Sequence, residues 1–268
     1  MNTPGTPAEL IDTHCHLDFP DFDADRAQVL AQCRAQGIRR IVVPGVRAAD
    51  WPRLRELCDR NEGLYPALGL HPMFLADHRD EDLQQLDGLL ADAAVVAVGE
   101  IGLDFHHGRA DEAAQLDYFE AQLDLAERYQ LPVILHVRKA HDTVLARLRG
   151  RKLPGGVAHA FSGSRQQAEQ YLALGFRLGF GGMLTYERSR RLRELARALP
   201  REAIVLETDA PDMAVASHRG ERNSPAYLTE VLGALAAVRG EDEAEVARWT
   251  TANAEAVFRF GPRRTGAA

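Results

Sequence analysis

The chain has 268 residues, 46% hydrophobic and 26% charged, with a formal net charge of −7. That is apolar material enough for one large domain or two small ones, and too ordinary a mixture for a low-complexity or disordered chain. The negative balance excludes a protein that coats nucleic acid by bulk positive charge, although a bound metal and a few local arginines still suffice to hold one phosphate.

No apolar run approaches the ~20 residues of a membrane-spanning helix. Met1 to Glu9 lack the basic start and apolar stretch of a secretory signal, so the chain is expected to act in the cytoplasm, as a monomer and away from membranes. Cys15, Cys33 and Cys58 are odd in number and none is in a Cys-x-x-Cys pair, which argues against a disulfide scaffold or a thiolate zinc site.

In chain order, short runs rich in Val, Ile or Leu predict strands at Glu9–Asp12, Arg39–Val43, Leu64–Leu68, Val95–Val98, Val133–Leu135, Gly156–Ala158, Phe176–Gly179 and Ala203–Leu206. Amphipathic stretches between and after them predict helices. Asp25–Gln36 ends at a capping Gly37, and Asp111–Tyr129 carries Leu116, Phe119, Leu123 and Ala126 at spacings of three and four. Ser164–Leu174 opens on a capping serine and closes at Gly175, and Arg190–Leu199, Pro225–Val238 and Asp242–Phe258 follow. Eight strand–helix units of this total length predict an α/β fold: a single (β/α)₈ TIM-type barrel domain over 1–268, with an extra C-terminal helix. A doubly wound open sheet is the competing layout. No Gly-x-Gly-x-x-Gly follows the first strand, which disfavours its nucleotide-binding version.

The metal-competent side chains fall at strand ends. His14 and His16 close the first strand two residues apart, hence on one face, while Cys15 between them points away and packs. Glu100 follows the fourth strand, His136 ends the fifth, His159 the sixth, and Asp209 lies just past the eighth. A lone strand histidine is ordinarily a packed one. A barrel, however, brings all these ends to one rim, and four histidines with two carboxylates suit two divalent ions with one carboxylate bridging.

These residues sit in segments that resemble the TatD family of metal-dependent hydrolases, within the amidohydrolase-like superfamily. The segments are Asp12-Thr13-His14-Cys15-His16-Leu17-Asp18, Gly69-Leu70-His71-Pro72, Gly99-Glu100-Ile101-Gly102-Leu103-Asp104, His136-Val137-Arg138, His159-Ala160-Phe161-Ser162-Gly163-Ser164, Leu206-Glu207-Thr208-Asp209-Ala210-Pro211, Arg222-Asn223-Ser224-Pro225 and Thr251-Ala252-Asn253. The resemblance implies a two-metal barrel. His14, His16, Glu100 and Asp209 would surround one ion, and Glu100, His136 and His159 the other, with Glu100 bridging. It also implies a deoxyribonuclease, in several members a 3′–5′ exonuclease on single strands. Asp212 and Met213 depart from the family's commonest version, in which an aromatic residue is frequent here.

The chemistry expected is metal-assisted hydrolysis of a phosphodiester in a nucleic-acid substrate, DNA above all. Mg, Mn or Zn ions would serve as the two cofactors, with Glu100 as bridge and Asp209 as both ligand and general base. His71 either donates a hydrogen bond to a phosphate oxygen or is merely pinned by Pro72, and the resemblance favours the first. Arg138 either holds a non-bridging oxygen or forms a surface salt bridge. Asp104 and Glu207, and with less support Asp18, are placed to orient ligating histidines. His106-His107 reads as a solvated loop, Ser162-Gly163-Ser164 as a helix cap, and Arg219-Gly220-Glu221-Arg222 as a wet loop or a backbone clamp. The alternative activity is hydrolysis of an amide, lactone or aminoacyl ester. Related barrels of that kind often bridge their metals with a carboxylated lysine, and Glu100 in that place favours the phosphoester. A non-catalytic barrel would require an incomplete ligand set, and all six positions are filled.

Overall fold

Short strands with both faces apolar need cover on both sides, and a closed ring wrapped in helices supplies it. The computed structural model describes residues 9–92 and 94–261; Met1–Ala8, in which no export signal is read, lie outside them. The element order is β1 (Leu10–Asp12), α1 (Arg26–Ala35), β2 (Ile38–Pro44), α2 (Trp51–Arg60), β3 (Leu64–Leu68), α3 (Asp80–Leu90), β4 (Ala97–Asp104), α4 (Glu112–Tyr129) and β5 (Val133–Arg138). It continues with α5 (His141–Leu148), β6 (Gly156–Ala158), α6 (Arg165–Ala173), β7 (Phe176–Phe180), α7 (Arg190–Ala198), β8 (Ile204–Leu206), α8 (Leu228–Arg239) and α9 (Glu243–Phe258).

The eight strands pair in parallel in the order β1 to β8. The ring closes just beyond the formal ends of β8 and β1, where Thr13 N–H donates to Leu206 O (3.0 Å), Asp209 N–H to His14 O (2.8 Å) and His16 N–H to Ala210 O (2.8 Å). This is the TIM-type (β/α)₈ barrel expected, with α9 as the additional C-terminal helix.

A small buried cluster takes Ile11, Val42, Ala67, Ala97, Ile134, Val157 and Val205, one from each strand except β7, and adds Ala254 and Phe258 from α9. The strand pleat puts these residues on the inward face, so α9 packs against one end of the barrel with its last apolar turn. The much larger cluster lies between sheet and helices and includes Trp51, Phe119, Tyr171 and Phe176.

Several boundaries differ from expectation. The fourth strand spans Ala97–Asp104 rather than Val95–Val98, so Glu100 lies inside it; two glycines and two acids break the apolar run although all eight residues are buried. β5 continues to Arg138 because β4 pairs with it that far, Asp104 opposite Arg138. β1 stops at Asp12, before His14 and His16. Pro225–Tyr227 is a 3₁₀ turn before α8. Helices α2, α3 and α5 are additional to those expected; each buries a short stripe, such as Leu86 and Leu90 in α3, too brief to stand out as a period.

Helix α5 starts at His141, whose ring packs on Phe161 and Tyr171 with Nδ1 3.3 Å from the Tyr171 hydroxyl. Burial lowers its pKa to about 4 from the ordinary 6.5. The unfolded chain therefore takes up this proton first as pH falls. Stability contributed by the neutral ring is complete above pH 6.5 and is lost, by up to about 3 kcal/mol, on the way down to pH 4. In His141→Gln the difference between urea unfolding free energies at pH 7 and pH 4.5 is expected to shrink relative to the parent protein; an unchanged difference would contradict this assignment.

Candidate metal centre

Glu100 lies on β4 beside a shift of pairing register between Val98 and Ile101. Its carboxylate is buried, 2% exposed, and faces imidazoles on both oxygens. Oε2 is 3.1 Å from His14 Nε2 and 3.5 Å from His16 Nε2. Oε1 is 3.0 Å from His136 Nδ1 and 3.2 Å from His71 Nε2. Burial works to raise its pKa, but the facing His71 and His14 and hydrogen bonds from His136 and His14 outweigh it and hold the carboxyl well below its ordinary range.

Asp209 sits in a left-handed backbone turn (φ 60°) after β8. Its Oδ1 is 3.6 Å from both His14 Nε2 and His16 Nε2 and 3.5 Å from His159 Nε2. At 15% its side chain is the more accessible of the two carboxylates, and although burial opposes it, His159, His14 and His16 keep it ionised. His159 stacks on His14 with ring centroids 3.6 Å apart, and its Nδ1 lies 3.0 Å from Glu207 Oε1. All six ligand-type residues of the sequence analysis thus converge, and three overlapping sets bring their donor atoms within 4.8 Å of one another: His14–Glu100–His159, His14–His16–Asp209 and His71–Glu100–His136.

This donor set fits divalent cations. His14 Nε2 and His16 Nε2 face each other at 3.2 Å. Burial opposes it, but Glu100 and Asp209 raise the pKa of His16 to about 9. A cation would displace that proton, and with Nδ1 turned to Pro44 O (3.2 Å) the ring then presents its Nε2 lone pair to the space edged by two carboxylates. Nitrogen and oxygen donors in this mixture suit Zn, Mn and Mg class ions.

Two residues depart from the expected grouping: His159 joins His14 and Glu100 rather than His136, and His71 joins Glu100 and His136 while also lining the cavity onto which the centre opens. Burial lowers the pKa of His71 to about 4, so the ring is neutral. Its Nδ1 accepts the Met73 N–H (3.1 Å), which leaves the proton on Nε2, the atom that faces Glu100. Asp104 lies, as expected, behind a ligand-type histidine, with Oδ2 3.0 Å from His136 Nε2. Burial raises its pKa, but the His136 and His106 hydrogen bonds bring it down to about 2. Glu207 lies behind His159 as an ion-pair contact, Oε1 3.0 Å from Nδ1, without the alignment of a hydrogen bond. Asp18 is buried near His16 with Oδ1 unpartnered, and among the described residues no hydrogen bond joins it to a ligand-type ring.

The supports of the site are only partly visible in the sequence. The buried Asp12 carboxylate accepts the His14 N–H (3.1 Å), the Thr208 N–H (3.0 Å) and the Thr208 hydroxyl (2.6 Å), tying the ends of β1 and β8 together. On α4, Gln115 receives the Asp104 N–H (2.8 Å) and donates to its carbonyl (3.1 Å), while Gln122 does the same for Leu70 (2.7 and 3.2 Å), the residue before His71. Sequence reasoning misses both; the available signal is two amides seven apart on the apolar face of α4. Close approaches also require glycine. A Cβ at Gly102 (φ +148°) would fall 1.9 Å from His136 O, and one at Gly179 2.0 Å from Glu207 Oε2.

The centre opens into a cavity of about 520 Å³ bordered by Phe19, Met73, Phe74, Arg138, Ser162 and Met213. Arg138 is exposed at its rim, within electrostatic reach of Asp104, and makes no salt bridge among the described residues. His106 and His107 are exposed and pack edge to face on each other. Ser164 caps α6 through the Gln167 N–H (3.1 Å). Arg222, read as a potential backbone clamp, is instead engaged by Asp25 in a two-pronged ion pair (2.7 and 2.8 Å). Gln122→Leu is expected to lower unfolding free energy despite adding an apolar side chain. It orphans the buried N–H and C=O of Leu70, each costing about 1–3 kcal/mol. Urea denaturation showing wild-type stability would contradict the clamp.

The sequence profile of the family described as TatD related DNase matches residues 11–259. The chain is 42% identical over 252 residues to the uncharacterized metal-dependent hydrolase YjjV of Escherichia coli, covering 93% of this chain and 97% of that one. It is 36% identical over 257 residues, 93% of this chain and 97% of the relative, to the 3′-5′ ssDNA/RNA exonuclease TatD of Cronobacter sakazakii. The crystal structure of E. coli YjjV, a TatD homologue, matches with a TM-score of 0.90 at 41% identity over 95% of this chain and 99% of that one. The profile spans the barrel from β1 to the end of α9, and the chain belongs to the TatD-related family of metal-dependent hydrolases.

Proposed function

We propose that the protein is a divalent-metal-dependent phosphodiesterase acting on nucleic acid, with single-stranded DNA digested from the 3′ end as the reading its relatives favour. The observation that carries the proposal is the buried Glu100 carboxylate with histidines on both oxygens, His14 and His16 on one and His136 and His71 on the other. His14, His16 and Asp209 would hold one cation with Glu100 Oε2, and His136 the other with Glu100 Oε1, His159 lying between Asp209 and His14. Bound there, two divalent cations supply positive charge to the phosphate and make water more acidic.

The chain's own groups account for the rest. Asp209, ionised and open to the cavity, takes the proton from the water that attacks phosphorus. His71, a neutral Nε2–H donor in the cavity lining, would turn that proton from Glu100 to a phosphate oxygen once a cation takes up the carboxylate, adding no charge. Arg138 at the rim is free to hold a non-bridging oxygen by paired hydrogen bonds. Asp104 and Glu207 fix the rings of His136 and His159 from behind. The P–O bond to the 3′ oxygen of the shortened strand breaks as the new P–O bond forms, and that oxygen takes its proton from solvent as it leaves. The relative named as a 3′-5′ ssDNA/RNA exonuclease supports the substrate class.

End-labelled single-stranded oligonucleotide with Mg²⁺ or Mn²⁺ is expected to shorten stepwise from the 3′ end and to stop on chelation. No shortening with any divalent ion, in the presence of a working control nuclease, would contradict the proposal. In Glu100→Gln, loss of the bridging charge is expected to reduce bound metal from two ions per chain to one or none by elemental analysis. Turnover should fall at least about 100-fold, since each metal contributes several kcal/mol to the transition state. Retention of both ions and of normal turnover would remove Glu100 from the bridging role.

A further inference from the structure

Next to the metal cavity lies a second cavity of about 330 Å³, within the size range of ligand pockets (~300–1,000 Å³). The two share one wall, made of Ala160, Ser162 and Met213. That wall belongs to the centre itself, because Ala160 N–H donates to Glu207 Oε1 at 2.6 Å. Beyond it the lining is apolar, with Phe161, Phe180, Met183, Leu192 and Leu195. The far side is formed by the start of α7, where Arg188, Arg190 and Arg191 are all exposed.

These arginines differ from the others nearby. Arg193 is tied to the Leu184 carbonyl at 2.8 Å and Arg197 to that of Val238 at 2.8 Å. Arg188 only stacks on Tyr186, with its guanidinium carbon 5.2 Å from the ring centre. Neither Arg188, Arg190 nor Arg191 has a salt-bridge partner among the described residues, although Glu187 and Glu194 lie on the same stretch. In a chain of net charge −7, three uncommitted cations within four residues, beside an apolar recess one wall from a hydrolytic centre, form a local reversal of charge.

We propose that this second cavity is a nucleotide subsite of the same active centre. The apolar recess takes the base of a nucleotide neighbouring the scissile phosphate, and Arg188, Arg190 and Arg191 hold that nucleotide's own phosphate. A single-stranded polynucleotide combines the required parts: a flat apolar face beside an anion, repeated one unit away from the reacting phosphate. Base stacking against apolar walls tolerates any sequence, so the subsite confers a preference for polymers over small phosphodiesters rather than for particular bases. Met213, at the shared wall, then separates scissile and neighbouring units. The inference rests on the phosphodiesterase reading above.

The test compares metal-loaded wild type with the triple variant Arg188→Ala/Arg190→Ala/Arg191→Ala and with Met183→Trp, which fills the recess from a position outside the metal cavity. The substrates are a single-stranded deoxyoligonucleotide and bis-p-nitrophenyl phosphate, which has no neighbouring nucleotide. In both variants the ratio of kcat/KM for oligonucleotide to that for the small diester is expected to fall at least ten-fold, chiefly through KM. For the triple variant the slope of log KM against log salt should fall by about 0.7 for each phosphate that is no longer neutralised. Exposed arginines can be removed without loss of fold, which circular dichroism and metal content verify. A wild type that cleaves neither substrate would overturn the phosphodiesterase reading and the subsite with it. A wild type that cleaves DNA, with variants whose ratio stays within two-fold, would overturn the subsite alone.

Discussion

A carboxylate removed from water is costly by several kcal/mol unless positive charge or donors surround it. Glu100 is such a group, at the middle of the barrel rim, with both oxygens turned to imidazoles. The local architecture follows from supplying it with partners. The register shift in β4 turns it to the rim, and Gly102 lets β4 approach β5 closely enough for His136 to reach Oε1. Gln122 fixes the backbone that leads to His71. Of the rings on its two oxygens, burial keeps His14 and His71 neutral, while against burial Glu100 helps to raise the pKa of His16 and His136, so that divalent cations would take the place of those protons.

The same region closes the ring. Hydrogen bonds joining β8 to β1 come from Thr13, His16 and Asp209, and Asp12 locks the seam from within. Backbone atoms of ligand-type residues are therefore part of the barrel's continuity, while their side chains face the cavity. Stability and site geometry are coupled here: a change that loosens the Asp12–Thr208 link opens the seam and displaces His14 and Asp209 together. Burial raises the Asp12 pKa to about 7, in spite of its hydrogen bonds to Thr208 and His14, which marks how far this network lies from water.

The barrel is legible in the sequence because alternating apolar runs and amphipathic stretches repeat at the right length, and each strand-forming run finds its place. His136, His159 and Glu207 follow Ile134, Val157 and Val205 by two residues, so the period that fills the barrel also aims them at its mouth. His14, His16 and Glu100 break that phase relative to Ile11 and Ala97, because the chain leaves the strand after Asp12 and shifts register before Ile101. Their convergence can be expected from residue type and family likeness but not from alternation. Illegible too are side-chain amides acting as substitute backbone, since Gln115 and Gln122 resemble ordinary polar positions until a strand end is placed beside them. The second cavity lies beyond sequence reasoning, for its walls come from segments more than fifty residues apart, Ala160 and Met213.

The central claim is that Glu100 joins two cations. Crystals equilibrated with Mn²⁺ and measured at its absorption edge test it directly. The account predicts two anomalous peaks ~3.5–4 Å apart, one on each oxygen of Glu100. One would lie among His14, His16 and Asp209, the other beside His136. Peaks absent from this rim, or a single ion that leaves Glu100 unbound, would contradict it.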